Sequence, residues 1–442
     1  MKFGRITVKK IKVVVAHPGK QHSFRIASAL KKDKRFEVTY ITTVYDKKNS
    51  IVLTLLKKLL PKSERSRINT RKNPDLDDKE VVIFDQFGGL IEIFLAKFDR
   101  NRTIYRSWHS IISKTFGKKV AKFSLKNQVD VVISFDTNSL DCFKYLKQSD
   151  SKIIRVFDAS AANRIYMKKV YLKDFVSSKY FASKLESEIG YILKSENQKY
   201  FQKEISNSQY FLAASSFVKE TFQYSGVEES KIKVCPYGVD LDEFYYNPRI
   251  IKDQSKPLKF VFVGGTKQLK GISYLLDAFL KIPINQATLT IIGFCNLSEE
   301  LIEPYKNIVN FTGPVLHADV ADILQEMEVM IFPSLGDGMG LSVIEALSCG
   351  LPVICSENTG AKDLIANGEN GFVIPIQDTE AIIKHVKWFD SNRNLIPSMA
   401  EKAHAVALKY TWDNYYKKIS ETILNIYKDE QLQGENNVEK SV

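Results

Sequence analysis

The sequence predicts an α/β protein of two doubly wound domains, each built on a parallel sheet. Three observations lead there. Short apolar runs rich in Val, Ile and Phe recur along the 442 residues. Amphipathic stretches separate many of them. The alternation also starts twice. Strands buried on both faces read as near-continuous apolar runs, and strand–helix–strand alternation places them in a parallel sheet.

The first series of strand-like runs is Ile11–Ala16, Val81–Phe84, Val131–Phe135, Ile153–Phe157 and Tyr210–Ala214. The second is Phe260–Val263, Thr288–Ile292, Val329–Phe332 and Val353–Cys355. Helical periodicity marks Ile26–Leu30, Gly271–Lys281 and Ala318–Met327. Pro236-Tyr-Gly-Val-Asp240 and the polar stretch Asn247–Lys256 interrupt the pattern, and a fresh strand begins at Leu258. The expected organisation is a first domain over 1–240, a second over 241–410, a helix over 411–428 and a polar, frayed tail over 429–442.

Composition narrows the class. Hydrophobic residues at 44% and charged residues at 26% are globular values and exclude wholesale disorder. Cys142, Cys235, Cys295, Cys349 and Cys355 are odd in number and scattered, so neither a disulfide framework nor a zinc knuckle is expected. Lys9, Lys10 and Lys12 lead into the short run Val13–Ala16 and then Pro18-Gly19, which reads as a strand and turn rather than a signal peptide. No apolar stretch reaches the length of a membrane span. A cytoplasmic protein, peripheral at most, is the expectation.

Charge is unevenly spread. Residues 1–120 hold 28 Lys+Arg against 11 Asp+Glu, a net +17, which leaves −4 on the rest of a chain of net +13. An anionic partner for the N-terminal part follows: nucleic acid, anionic lipid or a phosphorylated substrate. Within it, residues 48–80 break the alternation. The apolar run Ile51–Leu60 carries Lys57 and Lys58, and the basic stretch Arg65–Lys72 follows. This reads either as an ordinary helix with a solvated loop or as a basic amphipathic element that meets a membrane or an acceptor.

Chemistry concentrates between Phe332 and Ser356. The order there is strand, Gly-rich loop, helix, Gly stop, Pro and strand. Gly336, Gly338 and Gly340 permit close backbone approach. A helix starting near Gly340 presents unpaired amides and a positive dipole end, which suits a diphosphate. Gly350 fits the residue just past the helix, and Pro352 prevents continuation. Asp337 sits on the loop. Glu345 lies more than a turn into the helix among Val343, Ile344, Ala346 and Leu347, so a buried carboxylate there needs partners, such as the vicinal hydroxyls of a ribose. The plainer alternative is a turn and a half-exposed helix residue.

The segment Asp337-Gly-Met-Gly-Leu341, three residues, Glu345 and then Cys349-Gly-Leu-Pro-Val353 resembles the signature of the family 4 retaining glycosyltransferases. Asp337 and Met339 stand where that signature has Glu and Phe. Val263-Gly-Gly-Thr-Lys267-Gln-Leu-Lys270-Gly271 resembles the family's diphosphate-binding strand and loop, with Gly265 in place of the usual Arg and Lys267 as its substitute. Pro236 to Asp240 is similar to the hinge segment. Gly360–Leu364, Asn367–Gly371 and Phe372-Val373 are similar to the next loop and strand. The resemblance is specific over about 208–428.

The resemblance implies a GT-B fold, with two Rossmann-like domains facing a cleft and the C-terminal helix crossing back to the first domain. It implies transfer of a sugar from a nucleotide-sugar to a saccharide or lipid-linked saccharide, with retention, in bacterial surface polysaccharide or glycoconjugate synthesis. Asp337, Glu345 and Lys270 take the catalytic roles. Gly264, Gly265, Lys267, Lys270, Gly338, Met339, Gly340, Leu341 and Glu345 hold the donor. The first loop, His17 to Ser23, is similar in place to a family loop facing the cleft, with Gly19, Lys20 and His22 on the acceptor side; the plainer alternative is a strand–turn–helix junction with Ser23 as the N-cap. Apart from the resemblance, Trp108-His109 reads either as acceptor lining or as a structural pair, and Asp158, at the end of a strand, stands where open α/β sheets bind ligands. The family has a His just before the position of Asp158, whereas this chain has Phe157, so an imidazole there is missing or comes from elsewhere. No cofactor and no metal are implied; Asp240-Leu-Asp242 is a chance D-x-D spelling in the hinge.

Competing readings are a nucleotide-sugar epimerase or phosphorylase on the same scaffold, and a non-catalytic basic nucleotide- or nucleic-acid-binding protein. The chain has no DNA- or RNA-binding motif. His17–Ser23 lacks G-x-G-x-x-G, which removes a dehydrogenase reading.

Overall fold

Two parallel sheets carry the structure. The computed structural model describes residues 9–20, 22–48, 50, 52–54, 70–99, 102–177, 182–248, 255–295 and 297–439. The first sheet has the order β3-β2-β1-β4-β5-β6-β7. Its strands are β1 (Ile11–Ala16), β2 (Phe36–Thr42), β3 (Val81–Ile83), β4 (Val131–Phe135), β5 (Ile154–Ala159), β6 (Tyr210–Ala213) and β7 (Ile232–Val234). The second has the order β10-β9-β8-β11-β12-β13. Its strands are β8 (Leu258–Val263), β9 (Ala287–Ile292), β10 (Val309–Gly313), β11 (Val329–Phe332), β12 (Val353–Ser356) and β13 (Gly371–Ile374). All five neighbouring pairs of the second sheet are parallel, as are β1–β2, β1–β4, β2–β3 and β4–β5 of the first.

Both orders reverse direction once, between β1 and β4 and between β8 and β11. Open α/β sheets bind ligands beyond the carboxyl ends of the strands at such a switch. The central strands are largely apolar because both faces are covered: Val13, Val14 and Val15 of β1 and Val329, Met330 and Ile331 of β11 are at most 1% exposed.

Among the described residues, the helices of eight residues or more are α1 (Ser23–Lys32), α2 (Gln86–Phe98), α3 (Thr103–Lys126), α4 (Leu140–Gln148), α5 (Arg164–Ser177), α6 (Ala182–Leu193), α7 (Ser195–Asn207) and α8 (Ser216–Tyr224). They continue with α9 (Ile272–Leu280), α10 (His317–Gln325), α11 (Leu341–Ser348), α12 (Thr379–Ser391), α13 (Ile396–Ala407) and α14 (Trp412–Glu439). The chain divides into two compact units. One holds Met1–Ala159, Tyr200–Leu212 and Tyr416–Val442; the other holds Ser160–Lys199 and Ala213–Tyr415.

Several elements differ from the expectation. Strands β2, β7 and β10 do not stand out as apolar runs. β2 alternates Phe, Glu, Val, Thr, Tyr, and β10 is an edge strand with a polar face. The last helix is expected to end near 428 but runs to Glu439, carried past that point by the helix formers Glu430, Gln431, Leu432 and Gln433. Ser23 does not cap α1. His22 occupies the cap position, while Ser23 Oγ donates to the Lys20 carbonyl at 2.5 Å and lies 2.9 Å from Tyr40 Oη. Most of Ile51–Leu60 and most of Arg65–Lys72 lie outside the described residues.

Candidate active site

In the second unit, the loops leaving β8 and β11 stand side by side at the switch. Backbone and side chain join them: Leu335 N donates to the Leu269 carbonyl at 3.0 Å, and Ser334 Oγ donates to the same oxygen at 3.1 Å. Gly271 holds φ +70°, and any side chain there would strike the Pro333 carbonyl. Lys270 and Asp337 come together across the two loops as an ion pair, with the Lys270 Nζ also 5.3 Å from the Phe332 ring centre.

The β8 loop is held from below by α5 and α6. Glu188 accepts the amides of Gln268 and Leu269 at 3.2 and 3.1 Å. Asp174, fully buried, accepts from Gln268 Nε2 at 2.9 Å, Gln377 Nε2 at 3.1 Å and Tyr274 Oη at 2.5 Å. A buried carboxylate with three donors is a satisfied group that fixes its neighbours. Lys267, by contrast, is exposed. Gly264 has φ +151° and donates its amide to the Ile292 carbonyl, while Gly265 continues the turn.

The three glycines of the second loop have distinct roles. A side chain at Gly336 would meet Met167, and one at Gly338 would meet the Ser160 carbonyl. The Gly338 carbonyl accepts from Ser215 Oγ at 2.5 Å. Gly340 takes φ +72° as the cap of α11, and its amide donates to Asp337 Oδ1 at 2.8 Å. Asp337 thus uses one oxygen to shape the turn and the other to meet Lys270. Met339 is buried under the loop. The amides of Leu341 and Ser342, in the first turn of α11, have no intrahelical acceptor, and the dipole makes this end attractive to an anion. At the far end Gly350, at φ +77°, donates to Leu347 O at 2.9 Å, and Leu351 N reaches Ala346 O at 2.9 Å. That is a Schellman stop, as the Gly-Leu-Pro spacing implies.

Glu345 is brought to a partner that sequence reasoning missed. His317, the first residue of α10, sets Nε2 3.4 Å from Glu345 Oε1 and Nδ1 2.6 Å from Glu243 Oε1. Burial raises the Glu345 carboxyl above its ordinary pKa, and His317 opposes part of that rise. For His317, burial alone would lower the pKa, but the bond to Glu243 and the charge of Glu345 outweigh it, so the pKa is raised. The only signal in the sequence was a histidine opening a helix.

In the first unit, the loop after β1 meets the end of β5. His22 Nε2 lies 3.1 Å from Asp158 Oδ1, with Asp158 3% exposed. An imidazole from the first loop therefore meets Asp158, although Phe157 precedes it in the chain. Asp158 sits inside β5, one residue before its end. His17 and His22 both pack edge-on against Phe135 at the end of β4. The Gly19 amide donates to His17 Nδ1 at 2.8 Å, which shapes the loop. Burial, with Arg71 and Arg25 nearby, lowers the Lys20 pKa. His109 joins a different network: Nδ1 is 2.7 Å from Glu92 Oε1 and Nε2 3.3 Å from Ser113 Oγ.

Asp240 Oδ1 accepts the amides of Asp242 and Glu243 at 3.0 and 3.3 Å, so the D-x-D spelling is a turn. Among the described residues no group of three or more His, Cys, Asp or Glu is arranged to hold a metal ion, and no helix is long and apolar enough to cross a membrane. None of the five cysteines is in a disulfide.

Residues 257–391, which contain both loops and α11, match the family model for Glycosyl transferases group 1. Over this segment the chain is similar to that family. An uncharacterized glycosyltransferase of Methanocaldococcus jannaschii is 26% identical over 262 residues, 55% of this chain and 66% of the relative. The Escherichia coli UDP-Gal:alpha-D-GlcNAc-diphosphoundecaprenol alpha-1,3-galactosyltransferase is 32% identical over 172 residues, 36% of this chain and 44% of the relative. The chain thus spans less than two thirds of these curated relatives. Among solved structures, Anabaena HepE in complex with UDP aligns over 94% of this chain and 100% of its own, with TM-score 0.59 and 16% identity. The lipopolysaccharide outer core galactosyltransferase WaaB, in its apo form, aligns over 95% and 99%, with TM-score 0.59 and 16% identity. These neighbours share the GT-B architecture of two parallel-sheet α/β domains.

Proposed function

We propose that the chain is a glycosyltransferase that moves a sugar from a nucleotide-sugar to a saccharide or lipid-linked saccharide, with retention, in bacterial surface polysaccharide or glycoconjugate synthesis. The observation that carries this reading is the convergence of Lys270, Asp337 and the amino end of α11 on one switch point. Two relatives point the same way. One carries a galactosyltransferase name with a diphosphoundecaprenol acceptor, and one structural neighbour is a UDP complex.

In this reading the donor diphosphate rests against Lys270 and the amides of Leu341 and Ser342, with Lys267 at the rim. Glu345, held by His317, accepts hydrogen bonds from the ribose. Asp337 meets the sugar. The bond between the anomeric carbon and the phosphate oxygen breaks, and the acceptor oxygen bonds to that carbon on the same face. The acceptor proton leaves with the phosphate. Negative charge grows on the diphosphate as the bond breaks, and the ammonium and amides stabilise it there. We assign the acceptor to the first unit, where Gly19, Lys20, His22 and Asp158 line the end of the sheet. The reading requires no bound metal, so activity should survive EDTA.

A thermal-shift panel of UDP-, GDP-, ADP- and CMP-linked sugars tests the reading, because a ligand bound only by the folded state raises its apparent stability. One donor class should raise Tm, and its sugar should appear in a transfer product. Glu345→Ala should abolish that transfer with the fold retained. A flat panel, or full turnover in the variant, would contradict the donor assignment.

A further inference from the structure

Helix α2 is amphipathic the wrong way round. Phe87, Ile91, Phe94 and Phe98, spaced i, i+4, i+7 and i+11, form one stripe, and they are 71%, 43%, 58% and 58% exposed. The opposite side makes the packing contacts. Gly89 is buried where a side chain would strike Thr43, Glu92 pairs with His109 of α3, and the Gly88 carbonyl accepts from Trp108 Nε1 at 3.0 Å. A soluble helix normally turns such a stripe inward. Here the fold holds it outward by specific bonds, so a partner is implied.

Charge selects the partner. Residues 86–126 carry nine Lys+Arg and two Asp+Glu. Lys97 lies over the Phe98 ring at 5.3 Å, at the end of the stripe. A second copy of the chain would bring like charges together, which opposes association. An anionic lipid surface suits both features, with rings among the acyl chains and cations at the headgroups. With 13 residues, α2 is too short to span a bilayer. We infer that α2 is a membrane-docking helix that lies in the plane of an anionic bilayer and inserts Phe87, Ile91, Phe94 and Phe98. The assignment rests on α2 and α3 alone and does not depend on the transferase reading.

The test is sedimentation of the full chain with vesicles of phosphatidylcholine alone or with phosphatidylglycerol at about 3:1, where anionic lipid attracts each nearby cation. The chain should bind the mixed vesicles and bind pure phosphatidylcholine far more weakly. The variant Phe87→Ser/Phe94→Ser/Phe98→Ser should bind the mixed vesicles roughly a hundredfold or more weaker, as expected for three lost apolar side chains. Its Tm should stay unchanged because all three rings are exposed. Phe94→Trp gives a second readout: its emission should shift to the blue on mixed vesicles and be quenched by brominated lipid. Equal binding by the triple variant, or no binding by the wild type, overturns the inference. So does a wild-type dimer in solution that the triple variant disperses, since the face would then belong to a second copy. None of these readouts requires turnover.

Discussion

Replacing Glu345 with Gln removes a charge and keeps the shape of the side chain. The carboxyl is largely buried, and its pKa is raised by that burial. If it accepts hydrogen bonds from a donor ribose, each charge-assisted bond is worth about 1.5–3 kcal/mol. Loss of one such bond weakens nucleotide binding by about tenfold to 150-fold. Stability should move differently. A carboxyl whose folded pKa lies above its unfolded value of 4.5 contributes stability fully below that value and loses it as pH rises through the folded value. Glu345→Gln has no such loss, so its Tm relative to wild type should rise as pH increases from about 4.5. The assays are calorimetric titration with the nucleotide found in the donor panel and melting curves across pH. Unchanged affinity would refute the ribose contact. A large fall in Tm at neutral pH would show that Glu345 acts as a structural anchor instead.

Other substitutions probe separate parts of the site. His317→Asn should lose the stability that wild type gains from the raised imidazole pKa. The difference between the two proteins should therefore be full below pH 6.5 and vanish as pH rises through the folded value, as melting curves would record. Gly350→Ala forces a side chain into φ +77° and onto the Tyr246 ring; a loss of about 2–4 kcal/mol in urea unfolding is expected. Gly338→Ala should disturb the loop by pressing on the Ser160 carbonyl, lowering donor affinity and Tm together. His22→Ala should lower kcat or raise the acceptor KM while leaving donor affinity unchanged, because His22 and Asp158 belong to the acceptor side of the proposal.

The parts of this fold that were legible share a physical cause. β1, β4, β8 and β11 are central strands, so most of their side chains are apolar and the runs stand out. β2 and β10 alternate, and β7 has only three residues, so none of them stands out as an apolar run. The Gly340 and Gly350 turns were legible because positive φ demands glycine. Gly336 and Gly338 are explained instead by Met167 and Ser160, residues remote in sequence. The same applies to His22 with Asp158 and to His317 with Glu345: tertiary structure makes each pair, and no local spacing marks it. The support of the Gln268–Leu269 turn by Asp174 and Glu188 was equally hidden, since a buried acid on an amphipathic helix looks like a solvated one.

The central claim is that Lys270 and the amino end of α11 grip a diphosphate. The direct measurement is the Kd of the matching nucleoside monophosphate and diphosphate for wild type and Lys270→Met. Wild type should bind the diphosphate more tightly, and the variant should lose most of that preference while monophosphate binding changes little. A variant that keeps the full preference for diphosphate would contradict the account.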